Sequence, residues 1–310
     1  MEEMITARRY AATIGFFDGV HQGHRYVIGQ LLRLANERGL NSMVITFDRH
    51  PRQVLHTDWQ PQLLTTLNEK RRLLEAEGVD RVVVLPFTPQ LAALSARQFM
   101  QQVLAGELGV GLLLTGYDNR FGHRSAANAH EGFSDYVGYG HELGIEVVAG
   151  QPLMLDEWQV SSSLVRRMLG EGRVQDARKC LGRPYELAGT VAHGEQIGRR
   201  LGFPTANVVP EEPLQLVPRQ GVYAVSVSID HQKQWWPAVL NIGHRPTFGQ
   251  HATTIEAHLL DYHGDLYGHH LALRFTDRLR DEQPFPDADA LRSQMQKDAA
   301  QARQLLTTHY

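Results

Sequence analysis

Residues Tyr10 to His24 read Y-A-A-T-I-G-F-F-D-G-V-H-Q-G-H, a short apolar run that opens into glycines and closes on two histidines. Tyr10 to Phe17 predicts a strand. Val27, Ile28, Leu31, Leu32 and Ala35 then recur at helical spacing, and Gly39 stops that helix. A buried strand feeding a helix begins a βαβ unit, and ligands of parallel sheets bind beyond the carboxyl ends of strands, at helix N-termini. His21 and His24 are three apart, so within a first helical turn they share one face. Two imidazoles there can hydrogen-bond the oxygens of a polyphosphate, and Gly23 between them leaves room for the phosphates to approach. Histidine spacing alone equally describes half a zinc site, or surface residues in a chain with 16 histidines. The position after a strand, with Gly15, Gly19 and Gly23 around it, favours the phosphate.

Outward from this stretch the pattern repeats. Ser42 to Phe47, Arg81 to Leu85, Gly111 to Thr115 and Ile145 to Ala149 predict strands. Glu69 to Ala76, Ala96 to Leu108 and His130 to Leu143 predict helices between them. Strict alternation implies a parallel sheet, and strands rich in Val, Ile and Leu imply burial on both faces. Two short helices follow, at Ser162 to Leu169 and Val174 to Cys180, and Gly182-Arg183-Pro184 reads as a domain boundary. Beyond it, Val222 to Ile229, Trp236 to Ile242, Thr254 to Leu260 and Leu271 to Phe275 alternate between turns rich in Gly, Pro, Asp and His. Short strands with turn signals predict a small antiparallel barrel. Ala288, Leu291, Met295, Ala299, Ala302 and Leu305 mark a closing amphipathic helix packed on that barrel. The expected fold is therefore α/β followed by β, with domains over residues 1–181 and 182–310.

A chain of 310 residues is long enough for two cores. Its 31 basic and 34 acidic side chains give a net charge of −3, which offers no case for a general nucleic-acid binder. Any polyphosphate must be held by local sites. Cys180 is the one cysteine, so an intramolecular disulfide and a Cys-based zinc site are both excluded. The first ten residues have no long apolar core, unlike a signal peptide, and no apolar run approaches the roughly 20 residues of a membrane span. These features fit a reducing cytoplasm and no membrane partner. No coiled-coil heptad or large apolar face bears on oligomeric state.

A second chemical stretch lies past the boundary. Gly194 to Asn207 reads G-E-Q-I-G-R-R-L-G-F-P-T-A-N. Gly194, Gly198 and Gly202 let the backbone come close to a phosphate chain, and Arg199 and Arg200 add positive charge. Thr205 and Asn207 supply neutral oxygens of the kind Mg²⁺ accepts. A glycine run alone is a weak signal; followed by Pro204-Thr205-Ala206-Asn207 it is a specific one. This segment resembles the ATP-binding segment of riboflavin kinases. Leu181 to Tyr185, Gly189-Thr190-Val191, Gly221-Val222-Tyr223, Asn241-Ile242-Gly243, Arg245 to Gly249, Thr254 to Leu260, Asp265 to Gly268 and Arg278 to Glu282 carry the same resemblance. They extend it over nearly the whole riboflavin kinase domain.

The resemblance implies roles. The glutamate matching Glu256 is the family's general base, which takes the proton of the ribityl primary hydroxyl as it attacks the γ-phosphorus of ATP. From alternation alone Glu256 is one of three residues, with Thr254 and His258, on a strand face that could equally be solvated. The resemblance also gives Mg²⁺ to Thr205 and Asn207, and places Arg278, Arg280 and Glu282 as candidates to gate or bind the flavin product, where two arginines by themselves read as solvated surface.

In the first half, the H-x-G-H segment His21 to His24 resembles the nucleotidyltransferase superfamily, with its Rossmann-like sheet. Its members attack the α-phosphorus of a nucleoside triphosphate and release pyrophosphate, with the histidines stabilising phosphate charge. Phe17 to His21, Thr46 to Pro51, Leu64 to Leu67, Leu85-Pro86-Phe87 and Gly116-Tyr117-Asp118 narrow the resemblance to the FAD synthetase module of bifunctional bacterial flavin enzymes. It implies nucleotide contacts at Gly15, Phe17, Asp18, Gly19 and Asp118. A later segment, Ser161 and Ser162 with Arg166, resembles that module's second nucleotide-binding stretch; by themselves the serines read as helix caps.

Two departures stand out. The family's Ser-Ser-Thr-Arg-Ile-Arg is here Ser161-Ser162-Ser163-Leu164-Val165-Arg166, and its Asp-Phe-x-Phe-Gly is here Asp118-Asn119-Arg120-Phe121-Gly122. One phosphate-binding arginine and one stacking aromatic are absent; Arg120, Arg124 and Arg167 are the candidates to compensate. The resemblance implies riboflavin, FMN and ATP as substrates, FMN and FAD as products, and Mg²⁺ as cofactor. A kinase whose first half has lost its chemistry, and a flavin-binding sensor without turnover, stay open as alternatives. Intact Thr205, Asn207 and Glu256 count against the sensor, because a binder needs no base.

Overall fold

In the computed structural model the described residues are 9–55, 60, 62–116, 121–122, 130–193, 202–247 and 250–307. Contacts divide the chain into two compact units, Met1–Pro61 with Thr65–Ser161, and Gln62–Leu64 with Ser162–Tyr310.

The first unit runs β1 (Tyr10–Ile14), α1 (Gln22–Arg38), β2 (Asn41–Phe47), α2 (Pro51–Leu55), α3 (Leu67–Glu75), β3 (Arg81–Leu85), α4 (Pro89–Ala92), α5 (Ala96–Phe99), β4 (Val110–Thr115), α6 (Phe133–Leu143) and β5 (Glu146–Ala149). All strand pairings in its sheet are parallel, in the order β3-β2-β1-β4-β5. Strand alternation feeds two cores. Ala12, Ile14, Met43 and Ile45 face one of them, and Ala11, Val44, Leu112 and Leu114 the other. That two-sided burial is why these strands read as continuous apolar runs. Chain order reverses between β1 and β4, and the carboxyl end of β1 opens at that switch point.

Local signals set the helix ends. The His21 side chain caps α1, and Gly39 closes it at φ 62°, a left-handed conformation that glycine takes without strain. The stretch predicted as one helix over Ala96 to Leu108 is helical but changes register. After α5 it continues as a π-helix over Met100–Glu107, which turns Met100, Val103 and Leu104 into the core. A two-residue hairpin, β6 (Met154–Leu155) with β7 (Trp158–Gln159), ends the unit.

The second unit begins with α7 (Ser162–Gly170) and α8 (Val174–Leu181). Its strands are β8 (Tyr185–Ala192), β9 (Ala206–Pro210), β10 (Gly221–Ile229), β11 (Trp236–Thr247), β12 (Gln250–Leu259) and β13 (His270–Arg280), and α9 (Ala288–Thr307) closes it. The six strands form a closed antiparallel barrel in the order β10-β11-β12-β9-β8-β13. Closure removes the free edges that a small sheet would expose. Ala299 and Ala302 of α9 pack with Ala224 and Leu260 of the barrel, as the apolar spacing predicts, and Leu306 joins them as the buried residue while the predicted Leu305 is only partly buried.

The sequence patterns that predict the other four barrel strands miss β8 and β9. In β8, Tyr185, Leu187 and Val191 do alternate inward, but Gly189 interrupts the pattern. A Cβ at Gly189 would come within 3.0 Å of the Val209 carbonyl oxygen on β9. Gly189→Ala is therefore expected to destabilise the barrel by about 1–3 kcal/mol, the usual cost of overpacking against backbone. Chemical denaturation of the full chain checks this, with the barrel's transition moving and the first unit's staying.

Candidate active sites

The carboxyl end of β1 carries the first site. Past Ile14 the chain makes a sharp turn in which Phe17 (φ 53°), Gly19 (φ 80°) and Val20 (φ 38°) all adopt positive φ. Positive φ in a β-branched residue is strained and persists only where surroundings enforce it. Here Asp18, 3% exposed, accepts from the Thr65 main-chain N–H and hydroxyl, both at 3.3 Å. Gly19 N–H donates to the Thr65 hydroxyl at 3.1 Å.

The turn delivers His21 to the N-cap of α1. Its Nδ1 accepts from the His24 N–H at 3.2 Å, which assigns the remaining ring proton to Nε2. The two imidazoles stack, with ring centroids 3.6 Å apart, and Phe17 meets His24 edge-on at 5.1 Å. The predicted shared face therefore exists at a helix N-terminus, where anions are favoured. Gly15 and Gly23 serve packing there. A Cβ at Gly15 would lie 3.3 Å from the Phe17 ring, and one at Gly23 would lie 2.9 Å from the Val160 carbonyl and 3.1 Å from the His21 ring.

Thr65 and Lys70 were not singled out as site residues by sequence. Thr65 lies within the quoted stretch Leu64 to Leu67, and Lys70 within a stretch read only as helix. Ser161 closes the first unit, whereas Ser162 and Arg166 lie on α7 in the second, where Arg166 Nε donates to the Gln62 carbonyl at 2.7 Å. Asp118, Gly194, Gly198 and Arg199 lie outside the described residues.

The second site is built on the outer face of the barrel. Ile255, Ala257 and Leu259 of β12 are buried inside, so Glu256 and His258 point outward, as alternation predicts. Glu256 pairs with Asn207 on β9 and with Asn241 on β11, so three polar side chains form a row across the strands. The Thr205 hydroxyl donates to the Glu256 carboxylate at 3.3 Å. His258 donates from Nδ1 to the Pro204 carbonyl at 2.8 Å and meets the Phe203 ring edge-on. Gly202, at φ 85°, turns the chain into this segment. The residues of the predicted Pro-Thr-Ala-Asn motif and the predicted base therefore meet.

Asn241 extends the row. Its amide donates to the Glu282 carboxylate at 3.0 Å, and a Cβ at Gly243 would lie 2.5 Å from the same carboxylate. Glu282, predicted to contact flavin, thus joins the row through Asn241, which lies in a segment that carried the resemblance but had no role assigned to it. A lone asparagine in a strand gives no chemical signal. Beside Thr205 opens a cavity of about 570 Å³, within the range of small-molecule pockets, lined in part by Pro204, Tyr262, His263, Leu266 and Tyr267.

The two predicted flavin arginines have packing partners. Arg278 Nη2 donates to the Gln220 carbonyl and to Asp281, both at 2.6 Å, and a Cβ at Gly172 or Gly221 would strike its side chain. Arg280 forms a two-pronged pair with Asp298 of α9, at 3.1 and 2.7 Å, where Asp298 is 3% exposed. Asp298→Ala leaves that guanidinium without its carboxylate. It is expected to destabilise the second unit by about 3 kcal/mol, the low end for breaking a buried pair, because Arg280 keeps some solvent. Thermal unfolding of the full chain measures it.

Comparison with known proteins agrees with this division. The sequence family described as FAD synthetase matches residues 4–164, and the one described as riboflavin kinase matches residues 181–306. The bifunctional riboflavin kinase/FMN adenylyltransferase of Pseudomonas fluorescens is 41% identical over 96% of this chain and 93% of its own. The protein of the same name from Escherichia coli K12 is 39% identical over 94% of this chain and 91% of its own. A crystal structure of a chain named macrolide-efflux protein, from Streptococcus pneumoniae, matches with a TM-score of 0.85 at 29% identity, covering 96% of this chain and 95% of that one. Efflux is said of that protein; here no described helix is long and apolar enough to cross a membrane. Matched by both family models, and 39–41% identical over nearly their whole length to relatives named for both activities, the chain belongs to the bifunctional riboflavin kinase/FMN adenylyltransferase family.

Proposed function

We propose that this chain phosphorylates riboflavin to FMN on its barrel, and in its parallel-sheet unit transfers AMP from a second ATP to FMN, giving FAD and pyrophosphate. The observation that carries it is the convergence of Thr205, Asn207 and Glu256 across β9 and β12. In the kinase step Glu256 accepts the proton of the ribityl primary hydroxyl. That oxygen forms a bond to the γ-phosphorus as the bond to the departing ADP breaks. Thr205 and Asn207 offer neutral oxygens beside a carboxylate, a hard donor set that suits Mg²⁺ once phosphate oxygens complete the shell. When bound, the ion neutralises charge on the β- and γ-phosphates. The cavity beside Thr205 is the proposed nucleotide pocket.

In the adenylyl step a phosphate oxygen of FMN attacks the α-phosphorus of ATP and pyrophosphate leaves. His21 and His24, at the N-terminus of α1, donate to the phosphate oxygens on which charge builds. Gly15, Phe17, Asp18 and Gly19 shape the turn that holds them. Residues 1–181 serve this reaction and 182–310 the kinase. The net charge of −3 supports small-molecule partners over nucleic acid, and the single cysteine, which is buried, supports a reducing cytoplasm.

One alternative has a specific motive, the replacement of an expected arginine by Leu164 and of an expected aromatic by Asn119. It is a riboflavin kinase without adenylyl transfer. Pyrophosphate released from ATP and FMN separates the two: release matched by FAD supports the bifunctional enzyme, and its absence beside an active kinase supports the alternative.

A further inference from the structure

Lys70 on α3 is 2% exposed, an uncommon state for a lysine. Its hydrogen bonds go to main-chain carbonyls, that of Phe47 at 2.9 Å and that of Phe16 at 3.1 Å. The ammonium also lies 3.8 Å from the centroid of the Phe16 ring. Burial pulls its pKa down to about 8, while the charges of Asp18 and Asp48 act the other way, so it remains an ammonium at neutral pH. A desolvated ammonium is costly to the fold, and its hydrogen bonds offset that cost only in part.

Its position gives that cost a function. Phe47 ends β2, and Phe16 opens the strained turn that leads to the two histidines. The Phe16 carbonyl also accepts from the Thr46 hydroxyl at 3.0 Å, so one carbonyl oxygen is held by two donors from different elements. Thr65 holds the far side of the same turn through Asp18 and Gly19.

We propose that Lys70 is a positioning residue for adenylyl transfer: its ammonium clamps the ends of β1 and β2 so that the strained turn presents His21 and His24 to the phosphates. The basis for this is the adenylyl transfer proposed above. Small displacements at a reacting centre are expensive, so loss of the clamp should appear in turnover rather than in nucleotide affinity.

The test uses the full chain with Lys70→Met and, separately, Thr46→Val. Pyrophosphate release from ATP and FMN gives kcat and KM, thermal unfolding gives the folded fraction, and riboflavin phosphorylation by the same samples is the internal reference. A misplacement of about 1 Å costs about 10²-fold, so Lys70→Met is expected to lower kcat by roughly 30-fold or more, with KM for ATP within about threefold. Thr46→Val, which removes one of the two donors, should lower kcat by a smaller factor in the same pattern. Riboflavin phosphorylation should not change. A lysine that only stabilised the unit would reduce the folded fraction and leave kcat per folded molecule intact, and that result overturns the proposal. If Lys70→Met does not fold, Thr46→Val decides alone, and an unchanged kcat overturns it. A wild-type chain that phosphorylates riboflavin but releases no pyrophosphate removes the underlying adenylyl transfer and the clamp's role together.

Discussion

Glu256→Gln is expected to abolish conversion of riboflavin to FMN while FMN supplied from outside is still turned into FAD. Glutamine keeps the volume of the side chain and an oxygen that can accept from Thr205, so the row Asn207, Glu256 and Asn241 should persist. What it loses is basicity. Loss of a positioned general base typically costs about 10²–10⁴-fold, which places the variant near the limit of detection for FMN formation. The adenylyl site contains none of these residues, so its rate is the internal reference, and thermal unfolding of the barrel is the folding control. Kinase turnover within a few-fold of wild type would remove Glu256 from the role of base.

His24→Ala is the matching change in the other unit. Its expected effect is a fall of about 10²–10³-fold in pyrophosphate release, the range for deleting one donor to a developing oxyanion. His24 is the cleaner choice of the two histidines. Its contribution to the α1 cap is a main-chain N–H, which alanine keeps, so His21 still caps the helix. His21→Ala would instead mix the loss of a donor with the loss of a cap, about 1 kcal/mol in stability. The alanine variant does forfeit the ring stack with His21 and the edge contact with Phe17. Unfolding midpoints and an unchanged kinase rate separate that packing cost from catalysis. Pyrophosphate release close to wild type would mean that charge at the α-phosphate is stabilised by other groups.

Legibility in the sequence followed the strength of each physical signal. Strands buried on both faces left runs such as Met43 to Phe47, and the α1 cap and Gly39 left sharp helix ends, so the parallel sheet could be read directly. The outer face of β12 was legible as alternation. It could not reveal chemistry by itself, because an outward glutamate looks the same whether it meets solvent or Thr205. The resemblance supplied Glu256, and the fold supplied the contact. Gly189 hid β8, because a close approach between backbones removes the side chain that would continue the pattern.

Lys70 was hidden for the opposite reason. A lysine in a helix reads as surface, and only the three-dimensional turn at Phe16 shows why one is buried there. Arg280 presents a similar contrast. A basic residue near a flavin motif suggests ligand binding, whereas its guanidinium is paired with the carboxylate of Asp298, 18 residues on, a pairing that no local spacing encodes.

The most direct test of the central claim is a time course of the purified chain with riboflavin, ATP and Mg²⁺, separating riboflavin, FMN and FAD. FMN that rises and then gives way to FAD, with pyrophosphate appearing alongside the FAD, is the predicted result. FMN that accumulates with neither FAD nor pyrophosphate, even when FMN is supplied directly, would contradict two activities in one chain.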